Sequence, residues 1–510
     1  MVPEILEAIR GPHAIPALGV LVILYFITSS FLSWYRLRHF KGPFLASFSY
    51  LWIIYVWRSG QQSQKYKDIN TRYGFPLARI GPNELITSDP DLIRRISAAR
   101  SPYVRSFYYG AIKMKPGEDS LFSITDTAEH DRLKARASFG YSGKENPLLE
   151  PQIDEQLAGL ISAIERKYVS QDGPSKPMDL ARMVQYFTLD VITRIAYGDA
   201  FGYLATESDV HGYIQAVEAF VPFMTLMSEV PPVGRIIFSK LGTRLLAPKK
   251  TDKKGYGKLL AVAERVVADR FTGSGVDEKI KDPDRRDMLA AFLRHGIDRN
   301  QCEGEVLFQI VAGSDTTATA IRGTMLYLMA AHTAYTKLQK EIDDAIAKGR
   351  ISSPITAEEG KKLPYLQAVI YEGMRMQLPF SGLLFKQTPP EGDTFKGVFI
   401  PGNTCIGHNT LAIQRSTEVF GEDVDVFRPE RWIDADPTQH MKMVQTTELV
   451  FGYGRWACLG KPVAFIELNK VYVELLRRFD FQLINPLKPW HEWNHNMFFQ
   501  SEMFVRVTER

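Results

Sequence analysis

Cysteine is scarce in this chain: Cys302, Cys405 and Cys458 are the whole complement among 510 residues. An odd, scattered set of three builds no disulfide framework and fits a reducing compartment. It also argues against an all-cysteine zinc or iron–sulfur centre, which needs clustered thiolates. Charge of one sign is lacking too, since 62 basic and 58 acidic side chains leave a net +4. With no long basic run, nothing in the chain points to nucleic acid. No internal repeat is present, and no G-x-G-x-x-G opens a βαβ unit, so neither a solenoid nor a dinucleotide fold is indicated.

Long hydrophobic runs are absent but for one. Ala14 to Tyr35, AIPALGVLVILYFITSSFLSWY, carries no charge, and its 22 residues cross a hydrocarbon core of about 30 Å as a helix. Glu4, Glu7 and Arg10 precede the run, while Arg36, Arg38, His39 and Lys41 follow at once. That asymmetry predicts a cytosolic body, with Trp34 and Tyr35 at the interface. A cleaved signal peptide is the competing reading. Against it, the run is long, the basic residues come after it, and no A-x-A site is evident. Lys41-Gly42-Pro43 is expected to end the helix and begin a linker.

Beyond the anchor, apolar residues at three-to-four spacing predict helices over 190–194, 258–270, 303–331, 336–348, 365–376 and 461–478. Strand signals are short, at 77–80, 84–87 and 397–401. The polar stretch 273–287 reads as a surface loop. The expected fold is mainly α with small β-sheets, in one large domain.

Four motifs carry chemistry. Phe451-Gly452-Tyr453-Gly454-Arg455-Trp456-Ala457-Cys458-Leu459-Gly460 sets one cysteine in a glycine-rich turn before a helix. The glycines allow a tight turn and close approach to a flat ligand, and a helix N-terminus favours a thiolate; a structural cysteine beside a loop is the plainer reading. Ala312-Gly313-Ser314-Asp315-Thr316-Thr317 places a weak spot in a long apolar helix. Ala312, Thr316 and Ala320 make a shallow face there, and the Thr316 hydroxyl competes for the carbonyl four residues back, which would open a groove. Acid beside alcohol suits proton delivery; a small-residue packing face with an exposed Asp is the alternative. Glu372 and Arg375 share a helix face, and Arg431 in Phe427-Arg428-Pro429-Glu430-Arg431-Trp432 can join them, one carboxylate bridging two guanidiniums. Taken singly, these are a surface ion pair and an exposed turn.

In this order the four motifs resemble the cytochrome P450 family, with its central-helix A/G-G-x-D/E-T-T/S, E-x-x-R, P-E-R-F-like segment and F-x-x-G-x-R-x-C-x-G. The resemblance implies that fold behind a single transmembrane helix. Residues 1–42 would be a lumenal N-terminus, anchor (14–35) and basic flank, and 43–510 the haem-thiolate catalytic domain. It implies haem b with Cys458 as axial iron ligand, Asp315 and Thr316 as the proton-delivery pair, and Glu372, Arg375 and Arg431 as a structural triad. His130 and Lys134 match the propionate-binding positions of an early helix over 126–142, with Arg136 a further candidate. Ala312, Phe451, Gly452, Arg455, Trp456 and Gly460 would surround the ring. Two departures stand out. Trp456 occupies the usual place of an Arg that pairs with a propionate, so propionate anchoring is expected to differ here. Trp432 replaces the usual Phe of the third motif.

The resemblance further implies electrons from NADPH through NADPH–cytochrome P450 reductase, with cytochrome b5 as a further partner. The location implied is the endoplasmic reticulum membrane, single-pass, with the catalytic domain cytosolic. Lys134, Arg428, Arg455 and Lys461 would offer the reductase a positive face. Contacts to an apolar small-molecule substrate would come from 103–122, 219–230, 311–312, 378–385 and 496–499, with Phe220, Pro222, Phe223 and Met224 alternatively dipping into the membrane surface. Within the family, FGYGRWACLGKPVA, ELNK (467–470) and LLRRFD (475–480) are similar to filamentous-fungal members such as pisatin demethylase. That implies secondary metabolism, or detoxification of plant compounds by oxidative demethylation. The expected activity is monooxygenation. Oxidative coupling or ring closure, isomerase or dehydratase chemistry on the same fold, and a non-enzymatic membrane-anchored binding protein stay open.

Overall fold

The computed structural model describes residues 14–74, 76–169, 176–273 and 279–510; Glu4, Glu7 and Arg10 lie outside them. The apolar run forms helix α1 (Ala14–Leu37), of which Gly19–Leu37 is long and apolar enough to cross a membrane. Every side chain from Val20 to Ile27 is more than half exposed, an apolar surface the protein itself does not cover.

The far end of α1 is fixed to the body. Leu37 and Phe40 are buried with Leu77, Leu85 and Ile406. Fully buried Arg79 donates to the carbonyls of Ser33 (3.1 Å), Ser47 (3.0 Å) and Pro82 (2.9 Å). The expected linker at 41–43 is therefore a docked segment. Arg79 N–H donates to the Lys41 carbonyl at 2.8 Å, and a Cβ on Gly42 would strike the Arg79 carbonyl. The reason lies in the sheet: Arg79 sits in an outer strand whose free edge needs a partner.

That sheet joins β1 (Leu77–Arg79), β2 (Glu84–Thr87), β3 (Val104–Arg105), β4 (Lys386–Gln387) and β5 (Cys405–His408) in the order β1-β2-β5-β4-β3. The β2–β5 pair is parallel and the others antiparallel. Across β3 and β4, Arg105 stands directly opposite Lys386.

The helical body contains α2 (Thr127–Tyr141), α3 (Leu180–Tyr197), α4 (Tyr213–Glu229), α5 (Arg299–Ala330), α6 (Pro364–Met376) and α7 (Lys461–Leu476). Asp126, Asp179 and Asp298 cap α2, α3 and α5 by accepting backbone N–H bonds. The 32-residue α5 packs on α3, α6 and α7, and glycines set its closest approaches. A Cβ on Gly313 would lie 2.7 Å from Ile192 of α3. Cβ atoms on Gly323 and Gly373 would collide with Gln377 and Thr324, where α6 crosses α5. The weak spot at 312–317 thus serves helix packing as well as the cavity described below. Thr316 Oγ1 donates to the Ala312 carbonyl at 2.8 Å, as expected, and α5 runs through this stretch without a break.

Other expectations shift at their edges. Helices extend over Gly255–Ala268 and His332–Ala347, and one strand is Val398–Ile400. The stretch 273–287 is not simply loop, since Phe271–Thr272 pairs with Lys279–Ile280 across its start. A C-terminal hairpin of β6 (His491–His495) and β7 (Met497–Ser501) was not foreseen; the mixed pattern HEWNHNMFFQS gives no clean period-two signal.

The α5–α6 crossing positions everything that follows. Gly373→Val should destabilise the protein by about 1–3 kcal/mol through overpacking against Thr324, read as a lowered midpoint of denaturant unfolding; an unchanged midpoint would contradict the packing described.

Candidate active site and family

Cys458 sits on a turn that side chains cannot enter. Gly452 and Gly454 have φ of +73° and +56°. A Cβ on Gly452 would lie 2.7 Å from the Trp456 carbonyl oxygen. The turn closes where Cys458 N–H donates to the Phe451 carbonyl at 2.7 Å. Lys134 of α2 braces it, donating to the carbonyls of Arg455 (2.6 Å) and Ala457 (2.8 Å). Burial pushes the Cys458 thiol up, while hydrogen bonds from the Gly460 and Lys461 amides and the charges of Lys134 and Lys461 pull it down.

The exposed surface of Cys458 faces an internal cavity that offers about 300 Å³ to the centres of water molecules. Ala312, Gly313, Thr316 and Thr317 of α5 line the same cavity, as do Phe451, Gly452, Trp456 and Gly460. Fold and loop thus bring two motifs 142 positions apart (Cys458 minus Thr316) to one chamber. Ala320 lies off it, buried within the core. Of the substrate segments, Arg105, Tyr109, Ile112, Met114, Leu121 and Phe122 reach the cavity. So do Val221, Met224, Thr225, Val311, Pro379, Phe380, Leu384, Asn496 and Met497. Phe498 and Phe499 are buried elsewhere, Phe499 stacked on Trp493. Of the residues offered for the membrane surface, Phe223 is 40% exposed, whereas the others are engaged within the body. Met224 lines the cavity, Phe220 stacks on Tyr256 at 3.9 Å, and Trp57 Nε1 donates to the Pro222 carbonyl at 2.8 Å.

Asp315 turns away from its neighbour Thr316. Its carboxylate accepts from Gln185 of α3 (2.8 Å) and Tyr213 of α4 (3.1 Å). Burial raises its pKa to about 6, against the pull of Arg322 and these two donors. Asp315 is therefore a buried, partnered acid rather than an exposed one.

Glu372, Arg375 and Arg431 do meet, and all three are buried. Arg375 grips Glu372 through two bonds of 2.8 Å, and Arg431 Nε donates to it at 3.0 Å. The Arg428 amide (2.8 Å) and Trp432 Nε1 (3.0 Å) complete the shell. Burial alone would raise the Glu372 pKa; Arg375, Arg431 and the Arg428 amide hold it below the ordinary value.

Comparison with known proteins decides the family. The Cytochrome P450 family model matches residues 43–503. The chain belongs to the cytochrome P450 family. It is 48% identical to cytochrome P450 monooxygenase ABA1 of Pyricularia oryzae, across 100% of this chain and 99% of that protein. It is 44% identical to cytochrome P450 monooxygenase aba1 of Botryotinia fuckeliana, over 93% of this chain and 92% of that protein. A further relative, gsfF of Penicillium aethiopicum, is 29% identical over 96% of this chain and 98% of its own length. The chain is accordingly a P450 monooxygenase, and the family's cofactor is a haem held by a thiolate.

The cavity fits such a group at its charged end. Arg105 and Lys386 lie over the Trp456 ring at 4.4 and 4.7 Å, and the His130 ring packs on it at 4.4 Å. Arg105 Nε and His408 Nε2 are buried without partners. Burial and the Arg105 charge drive the Lys386 ammonium well below its ordinary pKa. An anion at this end, such as a haem propionate, would offset the cost of burying the Arg105 guanidinium. Arg455 does not point there; its Nε pairs with Asp131 at 3.1 Å. Arg136 is also elsewhere, on the Gly296 carbonyl at 3.1 Å. Sequence reasoning missed Arg105, Lys386 and His408. Each lies in or ends a strand of two to four residues, and only a cation inside an apolar segment could have flagged them.

Removing the central carboxylate strands two buried guanidiniums. Glu372→Ala should cost about 3–5 kcal/mol, measured by denaturant unfolding, and sharply lower haem content; wild-type stability would contradict the arrangement.

Proposed function

We propose that this P450 oxidises an apolar small molecule in fungal secondary metabolism, using O2 and electrons from NADPH delivered by NADPH–cytochrome P450 reductase. The observation that carries this reading is the single chamber shared by Cys458 and Thr316. Residues 43–510 form the catalytic domain, and the segment up to 42 anchors it to the endoplasmic reticulum membrane with the body in the cytosol. The exposed apolar face of α1 supports that placement.

When bound, haem supplies oxygen activation, and a thiolate ligand favours O–O cleavage. Cys458 would hold the iron, its charge tempered by the Gly460 and Lys461 amides. Arg105 and Lys386, with His130, His408 and Lys134 nearby, would hold the propionates. Thr316 lines the chamber; its hydroxyl donates to the Ala312 carbonyl, and rotation of the side chain would redirect that donor. Asp315, its pKa raised by burial to about 6, is held by Gln185 and Tyr213 and would exchange a proton with the chamber only on turning away from them. The apolar lining excludes water and favours apolar substrates.

For the reductase, the basic residues of the proximal side start out engaged. Arg455 pairs with Asp131, Lys461 with Glu448 at 2.8 Å, and Arg428 with Asp423 at 2.6 Å. An acidic partner would compete with these carboxylates, so docking should weaken steeply with salt.

The direct test compares metabolites of a deletion strain with those of the restored strain under ¹⁸O2. A compound that accumulates on deletion should be converted, with reductase and NADPH, to a product carrying one labelled oxygen. A product free of label would overturn the reading. On that substrate, Asp315→Asn and Thr316→Ala should each lower product formation about 10²-fold with haem content unchanged, while NADPH consumption persists.

A further inference from the structure

The anchor helix does not leave the body cleanly. From Ser29 onward one side of α1 rests on protein: Ser29, Ser30, Ser33 and Arg36 are half-buried and Leu37 is buried. Their three-to-four spacing marks one helix face. The opposite face stays open through the same turns, where Phe31, Leu32 and Tyr35 are each more than half exposed. The chain itself covers the inner face, doubling back after Leu37. Ser30 Oγ donates to the Phe48 carbonyl at 2.9 Å. The Arg79 guanidinium holds the carbonyls of Ser33 (3.1 Å) and Trp34 (3.4 Å) together with that of Ser47 (3.0 Å). Arg36 reaches across to the Gly402 carbonyl at 3.1 Å and to Thr404 Oγ1 at 3.3 Å. A cation at the C-terminal end of a helix is favourable, and Arg79 in that place joins α1 to the body without a free hinge. Ser47 and Phe48 therefore lie level with Ser33 and Ser30.

That level lies inside the apolar run. The run ends at Tyr35, and only Ala14 to Thr28, 15 residues, is clear of the body. An α-helix of that length spans about 22 Å, about 8 Å short of a hydrocarbon core. The missing length is the stretch along which the body is docked, and the returning chain is apolar there. From Phe44 to Trp57, 14 residues carry no charge, too few to cross a bilayer but enough for a core helix or an interfacial segment. Exposure decides between the two. Phe44 is 78% and Leu45 48% exposed in the turn Phe44–Ser47. Leu51 and Tyr55, one turn apart in helix Leu51–Arg58, are both 57% exposed. We propose that this collar, residues 44–55, is sunk into the acyl layer of the same bilayer that α1 spans, so that the body is inserted rather than tethered. Polar groups at the collar turn inward, as where Tyr50 Oη donates to the buried Glu84 carboxyl at 2.9 Å. Cations come at its far end, where Arg58 is exposed and Lys65 Nζ lies over the Tyr55 ring at 5.7 Å, the arrangement of side chains that reach from apolar surroundings to water. Local thinning of the bilayer would close the same gap, but it would leave Phe44, Leu45, Leu51 and Tyr55 facing water.

This inference rests on α1 crossing the bilayer, so the test places a reporter in each element. The full-length holoenzyme, its haem verified by absorption, is reconstituted in dioleoylphosphatidylcholine vesicles. A nitroxide is attached at Phe26→Cys in α1, at Leu45→Cys or Leu51→Cys in the collar, or at Ile346→Cys, exposed on helix His332–Ala347. The wild-type chain carried through the same labelling gives the background of its own cysteines. Collisions with dissolved oxygen report acyl surroundings, and collisions with a nickel chelate report water. The Leu45 and Leu51 sites should match Phe26, with oxygen collisions dominant and nickel collisions about tenfold fewer than at Ile346. Collar sites that meet nickel as Ile346 does, with Phe26 still in lipid, overturn the proposal and leave the anchor standing. Collar sites shielded from both reagents mean that a second copy covers the patch, which overturns it as well. A Phe26 site open to nickel strikes the spanning reading and the proposal together.

Discussion

The Glu372 carboxylate, sealed from solvent between two guanidiniums, fixes the side of the molecule on which Cys458 is presented. Arg375 binds it from within α6 and passes on to the carbonyls of Gln414 (3.1 Å) and Val424 (2.7 Å). Arg431 binds it from the segment that leads toward the cysteine turn, and reaches Val426 and Asp423 carbonyls at 3.0 Å. The carbonyls of Gln414, Asp423, Val424 and Val426 are thereby satisfied by two side chains. A buried ion pair is weak evidence of net stability. Its value here lies in register: it ties the cysteine-bearing segment to α6, which the glycine crossing ties to α5 and hence to Thr316.

A second constraint is charge. The chamber wall concentrates buried cations at one end, with Arg105 and Lys386 facing each other across two short strands. Trp456 supplies the surface on which both rest, and cation–π contacts of this kind contribute about 2 kcal/mol when desolvated. In the proposed reading, the two short strands supply the charge that the family usually places on the cysteine loop, and the loop supplies the ring.

The sequence made the iron-ligand candidate, the acid–alcohol pair and the triad legible, because each lies in a short motif whose spacing matters. Helix cores were legible from their periodicity. Less visible were contacts made by tertiary pairing: Arg105 and Lys386 belong to two-residue strands with no periodic signal. Asn496 sits at the tip of a hairpin whose strands do not alternate. Trp432 reads as a mild change from Phe, yet its indole N–H donates to Glu372, a role no phenyl ring can fill. The Lys41-Gly42-Pro43 break was visible, whereas its docking on Arg79 depends on a sheet edge that sequence spacing does not reveal.

The central claim is that one thiolate, Cys458, holds a haem in this chamber. Absorption of the reduced, carbon-monoxide-bound full-length protein tests it most directly, in wild type and in Cys458→His. The account predicts the red-shifted Soret band of a thiolate-ligated haem in wild type, and its replacement by an imidazole-type band in the variant with haem still bound. A wild-type protein without the thiolate band, or a variant that keeps it, would contradict the account.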